Sequence, residues 1–155
     1  MEEKLGFSVS QVDAESLPWA MLLDADPSER NVRKYLAGAR CFSAEKDNEI
    51  VGVCVLNTIG DGALELFNIA VSPDMQGQGV GSALLRHVID RCRSEGVRRI
   101  ELGTGTFGYQ LAFYQRLGFR VERVVRDFFL DHYDEPVMEM GIQHKDMLRL
   151  GLDLE

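Results

Sequence analysis

"SPDMQGQGVGSALL", residues Ser72 to Leu85, sets Gly77, Gly79 and Gly81 within five positions and then runs straight into apolar residues at helical spacing. A chain that loses its side chains where a helix begins offers bare backbone N–H groups at the positive end of the helix dipole. That arrangement suits an anion, and a pyrophosphate best. Glycine serves because a Cβ would block close approach or forbid the backbone angles. Taken alone, the cluster is equally a loop that turns tightly. Two phosphate-binding spellings fail here. A P-loop needs Lys and then Ser or Thr after its last glycine, but Ser82 and Ala83 follow Gly81. A dinucleotide fingerprint begun at Gly77 meets Ser82 where its third glycine belongs, and begun at Gly79 it meets Leu84.

Downstream, Val80, Leu84, Leu85, Val88, Ile89 and Cys92 form one helical stripe, closed by Arg91, Arg93 and Gly96. "VRRIEL" then predicts a strand, "GYQLAFYQRLG" a helix carrying Leu111, Tyr114 and Leu117, and "FRVERVV" another strand. Strands alternating with helices imply parallel pairing. Upstream, "CFSAEKDNEIVGVCVLNTIGDGALELFNIAV" predicts an antiparallel meander with turns at Asp47-Asn48 and Gly60-Asp61-Gly62. "FSVSQV" (Phe7 to Val12) predicts a strand before it. Between the two lie two helices broken by Pro18 and Pro27, with Ser28 as a cap and Gly38 as a stop. From Arg126 the chain looks irregular until "MLRLGLDL", which alternates as a closing strand, and whose apolar residues raise the prospect of pairing with a second subunit.

At 155 residues and 45% hydrophobic content, one domain over residues 1–155 is expected. The net charge of −8 disfavours nucleic acid as a partner and suits cationic small molecules or basic peptides, although acidity also simply keeps a protein soluble. Cys41, Cys54 and Cys92 lack metal or redox spacing, as do His87, His132 and His144, so neither a disulfide framework nor a metal is expected. "MEEKLGFSVS" lacks the pattern of an export signal, and eighteen consecutive apolar residues occur nowhere. The expectation is a cytoplasmic protein with no membrane partner.

Gln76-Gly77-Gln78-Gly79-Val80-Gly81, preceded by "NIAVSPDM" and followed by "SALL", together with Tyr114 and Gly118-Phe119, resembles the GNAT family of N-acetyltransferases. The resemblance covers most of the chain. It implies an α/β fold with a mixed, twisted six- or seven-stranded sheet and helices on both faces, and acetyl-CoA as cosubstrate. It further implies that the amides of Gln78, Gly79, Val80, Gly81 and Ser82 hold the pyrophosphate. Gln76 and Gly77 would complete that loop, and the main chain of Ile69, Ala70 and Val71 would pair with the pantetheine arm like an added strand. Tyr114 matches the position of the acid that protonates the departing thiolate, and Glu65 that of a base glutamate six residues before Val71. The implied reaction carries an acetyl group to a primary amine of a small molecule or peptide. Many relatives are homodimers. A non-catalytic acyl-CoA sensor of the same fold is the alternative.

The residues themselves leave several roles open. Tyr114 lies at packing distance from Leu111 and Leu117 along a helix, and is equally a core tyrosine. Strand alternation sets Glu65, Phe67, Ile69 and Val71 on one side, making Glu65 a lone carboxylate among apolar neighbours, or else an edge glutamate facing water. Phe107 departs from the asparagine common in the family seven residues before the tyrosine. "GTGTFGYQ" is either a second, flexible wall of the cofactor cleft or a plain strand-to-helix loop. "DFFLDHYDEP" (Asp127 to Pro136) either lines the acceptor pocket or forms a solvated face. In the first reading Asp131, Asp134 and Glu135 attract an ammonium group, Phe128 or Tyr133 packs on the ligand, and His132 shuttles a proton.

Overall fold

The computed structural model describes residues 6–155. The first five residues, part of the stretch read for an export signal, lie outside the described residues. The chain runs as β1 (Ser8–Val12), α1 (Trp19–Ala25), α2 (Glu29–Leu36), β2 (Arg40–Lys46), β3 (Glu49–Gly60), β4 (Ala63–Val71) and α3 (Val80–Ser94). It continues with β5 (Arg99–Gly105), α4 (Tyr109–Arg116), β6 (Arg120–Val125), α5 (Phe128–His132), β7 (Met138–Glu139), β8 (Ile142–Gln143) and β9 (Met147–Asp153). Seven strands form one mixed sheet in the order β1-β2-β3-β4-β5-β9-β6, with β7 and β8 as a separate two-residue hairpin.

Local chemistry accounts for the punctuation. Ser28 caps α2, its hydroxyl accepting from the Asn31 amide at 3.2 Å. Asp47 and Asn48 both take positive φ, the conformation that a two-residue hairpin turn demands. The predicted stripe of α3 is buried in full, from Val80 to Cys92. Each large aliphatic residue in it contributes about 1.5–3 kcal/mol by leaving water. Helices cover both faces of the sheet. Leu84, Leu85, Val88 and Ile89 of α3 pack with Tyr114, Phe119 and Leu150 on one side. Met21, Leu22 and Val32 of α1 and α2 pack with Val53 and Val55 on the other.

The closing strand corrects the sequence reading. "MLRLGLDL" is not a tail left over for another subunit: β9 inserts between β5 and β6, antiparallel to both, and buries Met147, Leu150 and Leu154. Parallel pairing is confined to β4 and β5, and within them to Ala63–Glu65 against Arg99–Glu101. Beyond those three residues the strands part. Opposite β4, Val55 faces Asn68 and Leu56 faces Leu66, so Phe67 is an extra residue, a β-bulge that bends and twists the strand away from β5.

That bulge also corrects the side-chain alternation. Phe67 stacks on Tyr35 of α2, centroids 5.0 Å apart, on the same face as the cavity lined by Glu65, whereas Ile69 packs against the α3 core. Glu65 and Phe67 therefore face one way, and Ile69 and Val71 the other, because one inserted residue resets a period of two.

Candidate active site

Two cavities open along β4. The first, about 320 Å³, lies between the C-terminal half of β4, the glycine loop and α4, and is lined by Ile69, Ala70, Val71, Gln76, Gly77, Gly79, Val80, Gly81 and Ser82. Gln78 is not on its wall; its side-chain amide turns back to donate to the Asp74 carbonyl at 3.1 Å. The Gln76 amide donates to the Val71 carbonyl at 3.1 Å, tying the loop to the strand end. Gly77 and Gly79 have φ of +78° and +83°, and a Cβ on either would meet no atom within 4 Å. Backbone conformation, not crowding, requires glycine there, and the space above the loop is open. The amides of Val80, Gly81 and Ser82, in the first turn of α3, have no carbonyl of their own helix to bond. Along Leu66–Val71, the edge turned away from β3 has no strand partner among the described residues, so alternate residues present their N–H and C=O groups to the gap. A pyrophosphate followed by an amide-bearing arm fits this succession of donors.

Tyr114 lines the cleft from α4, only 7% exposed, with its ring edge-on to Phe113 and Phe119 at 5.2 and 6.0 Å between centroids. Burial pushes its phenol well above the ordinary value, so it is a proton carrier at neutral pH. The ring packs in the core, and the same residue lines the cleft. Tyr109, Gln110, Phe113 and Arg116 line it too. No motif flagged them, although their spacing on α4 repeats that of Tyr114.

The second cavity, about 570 Å³, lies against the α1–α2 break, α2 and α5. Its wall includes Asp26, Tyr35, Glu65, Phe67, Phe128, Phe129, His132, Tyr133 and Arg149. The aromatic half of the 127–136 segment is there; its acids are not. Asp131, Asp134 and Glu135 are exposed, outside the cavity. The His132 ring stacks on Phe128, and its Nδ1 sits 2.9 Å from the Phe128 carbonyl.

Glu65 is not a lone carboxylate among apolar neighbours. Arg149 donates to both its oxygens, Nη1 to Oε2 at 2.9 Å and Nη2 to Oε1 at 3.0 Å, and reaches Glu101 at 3.3 Å. Burial opposes charge on Glu101, but hydrogen bonds from Arg99 and Arg149 outweigh it and hold its carboxyl below the usual range. These ion pairs gather where β4 and β5 last touch.

Asp26 escaped the sequence reading because it sits in the break between α1 and α2, where an aspartate reads as turn chemistry. It does bond the Ser28 amide at 3.1 Å, but it also accepts from Tyr133 at 3.1 Å and Tyr35 at 3.2 Å. The Asn68 amide donates to the Tyr35 hydroxyl and to the Leu22 carbonyl, both at 2.9 Å.

Nor are the glycines of β5 a flexible wall. A Cβ on Gly103 would stand 2.2 Å from Met147 Sδ, and one on Gly105 2.2 Å from the His144 ring. His144 in turn stacks on Phe107 at 4.1 Å and bonds Glu139 at 2.8 Å. Phe107, the departure from the family spelling, thus supports the segment after α5. Among the described residues no group of three or more His, Cys, Asp or Glu is placed to hold a metal ion, and no helix is long and apolar enough to cross a membrane.

The profile of the Acetyltransferase (GNAT) family matches residues 10–119. An uncharacterised N-acetyltransferase of Bacillus subtilis, YvbK, is 40% identical over 153 residues, 98% of each chain. The ribosomal protein bS18 alanine N-acetyltransferase of Escherichia coli is 34% identical over 117 residues, 75% of this chain and 74% of that one. A GNAT acetyltransferase from Elizabethkingia anophelis, solved with acetyl-CoA bound, superposes with a TM-score of 0.90 at 35% identity, covering 96% of this chain and 98% of the other. A bulge-splayed strand pair, an open amide cradle and relatives matching nearly end to end lead to one conclusion: the chain belongs to the GNAT family and is an acetyl-CoA-dependent acyltransferase.

Proposed function

We propose that the chain moves an acetyl group from acetyl-CoA directly to a primary amine of a small molecule or peptide. The observation that carries this reading is the unpaired edge of β4. It borders the first cavity, which the start of α3 and Tyr114 also line, and the same strand supplies Glu65 and Phe67 to the aromatic cavity. The amides of Gly79 to Ser82 hold the diphosphate by charge-assisted bonds that no side chain obstructs. Ile69, Ala70 and Val71 align the arm, and a main-chain N–H in that run supports the oxygen that gains charge as the thioester is attacked. Acetyl-CoA supplies the activated acyl group.

Tyr114 acts on the leaving group. As the carbon–nitrogen bond forms and the carbon–sulfur bond breaks, the electron pair passes to sulfur, which takes the phenolic proton of Tyr114. The new amide nitrogen sheds one proton, and the phenol recovers it. No covalent enzyme intermediate is needed. The bacterial relative that acetylates the alanine amine of a ribosomal protein supports an amine acceptor. Thiol release from acetyl-CoA over a broad amine panel tests the reading. Turnover with at least one primary amine is expected, and silence with every amine despite tight acetyl-CoA binding would overturn it in favour of a sensor.

A further inference from the structure

The second cavity holds more than one acid, and they are not equivalent. Glu65 is neutralised by Arg149 through both oxygens. Asp26 is buried and makes no ion pair among the described residues; its three partners, the Ser28 amide and the Tyr35 and Tyr133 hydroxyls, are all neutral. A buried carboxylate without a cation is costly unless a ligand supplies one. Both phenols stay protonated, since burial and the nearby Asp26 charge raise them well above the ordinary tyrosine value. They therefore remain donors and bring no compensating charge. Lys34, the other cation on this wall, is exposed.

The cavity that Asp26 lines is rich in aromatic faces. Tyr35 and Phe67 stack 5.0 Å apart on one side, and Phe128, Phe129 and Tyr133 line the other. Aromatic faces attract a cation as well as an aromatic or aliphatic body. Asp26 directly follows Ala25, which lines the first cavity.

We propose that Asp26, and not Glu65, receives the amino group of the acceptor, and that the acceptor is a small primary ammonium ion on a flat apolar body, held between the Tyr35–Phe67 stack and the α5 aromatic wall. Where acetyl transfer occurs, the ammonium passes one proton to the Asp26 carboxylate, and the freed lone pair forms the bond to the acyl carbon. The transfer step rests on the acetyltransferase reading above; the binding step does not. An acceptor with a carboxylate beside its amine is disfavoured, because the guanidinium of Arg149 already serves Glu65 and Glu101.

The test uses the full chain saturated with CoA and phenethylamine as the probe, with binding read by calorimetry. Phenethylamine binds, whereas 2-phenylethanol, which lacks the charge, and phenylalanine, which adds a carboxylate, bind at least about 10-fold more weakly. Asp26→Asn keeps the shape and loses about 10- to 100-fold in amine affinity, with the melting temperature and acetyl-CoA affinity checking that it folds. Asp131→Asn, at an exposed acid outside the cavity, changes amine affinity less than about 3-fold. Equal binding of phenethylamine and 2-phenylethanol by the native chain overturns the assignment without any variant, and so does a loss confined to Glu65→Gln. Binding without thiol release from acetyl-CoA would sink the acetyltransferase reading and leave Asp26 as the amine site. Thiol release at equal rate and KM in Asp26→Asn would do the reverse.

Discussion

Along the first cavity the groups that face a ligand are mostly main-chain amides, set by a strand that ends, a loop of glycines and a helix that begins. Along the second they are side chains drawn from the α1–α2 break, α2, β4, α5 and β9, the hydrogen-bonded Asp26 and Tyr133 lying 107 residues apart. In the reading proposed here the first surface recognises a diphosphate and an amide-bearing arm, features of the cosubstrate that do not change with the acceptor, and the second recognises whatever carries the amine. Backbone geometry tolerates sequence drift around it, whereas a cavity of side chains changes specificity with each substitution.

The sharpest way to separate the two regions is Tyr114→Phe, which removes the one side-chain group assigned to chemistry in the first cavity. Turnover falls about 100-fold or more, acetyl-CoA affinity holds within about 3-fold, and the ring contacts with Phe113 and Phe119 keep the fold. Unchanged kcat in steady-state kinetics would mean the phenol only packs.

Next in size is Gly79→Val. A β-branched residue at a φ of +83° carries roughly 1–3 kcal/mol of strain, so the loop leaves its native shape. Acetyl-CoA affinity drops about 10- to 100-fold by calorimetry, while phenethylamine affinity is untouched. If the variant gripped acetyl-CoA normally, the cradle would not be made of amides. Gly105→Ala probes the other region: its Cβ displaces His144 from Glu139 and Phe107, destabilising the chain by about 1–3 kcal/mol in denaturant titration. The effect on amine KM is larger than that on acetyl-CoA affinity, and equal effects would erase the distinction.

The smallest effect is alkaline. Tyr35, Tyr114 and Tyr133 all have phenols raised above the ordinary value of about 10, by burial first. A raised value means that the folded chain holds the proton longer than the unfolded one. Stability is therefore complete below about pH 10 and is lost as pH climbs above it, at roughly 1.4 kcal/mol per pH unit for each such tyrosine. Tyr133→Phe flattens that slope by one tyrosine's share, measured by urea unfolding between pH 9.5 and 11, and an unaltered slope would show Tyr133 to be solvated.

The glycine loop, the α3 stripe and the helix carrying Tyr114 were readable in the sequence because they are local patterns whose geometry follows within a few residues. Ser28 as a cap and the Asp47-Asn48 hairpin were readable for the same reason. Glu65 was located correctly on its strand and misread in its surroundings, since Arg149 arrives from a strand 84 residues later. The alternation of β4 failed at Phe67, because nothing in "ALELFNIAV" marks which residue a partner strand will leave unpaired.

Sequence by itself determined the elements as far as β6, the glycine loop and the helix that carries Tyr114, all consequences of short-range sterics and hydrogen bonding along the chain, but not α5, β7 or β8, which lie in a stretch that reads as irregular. Only the tertiary structure decided the splay of β4 from β5, the insertion of β9 between β5 and β6, and the meeting of Asp26 with Tyr35 and Tyr133. These depend on which distant surfaces bury one another, and a side chain's partner and charge balance exist only once that burial has happened.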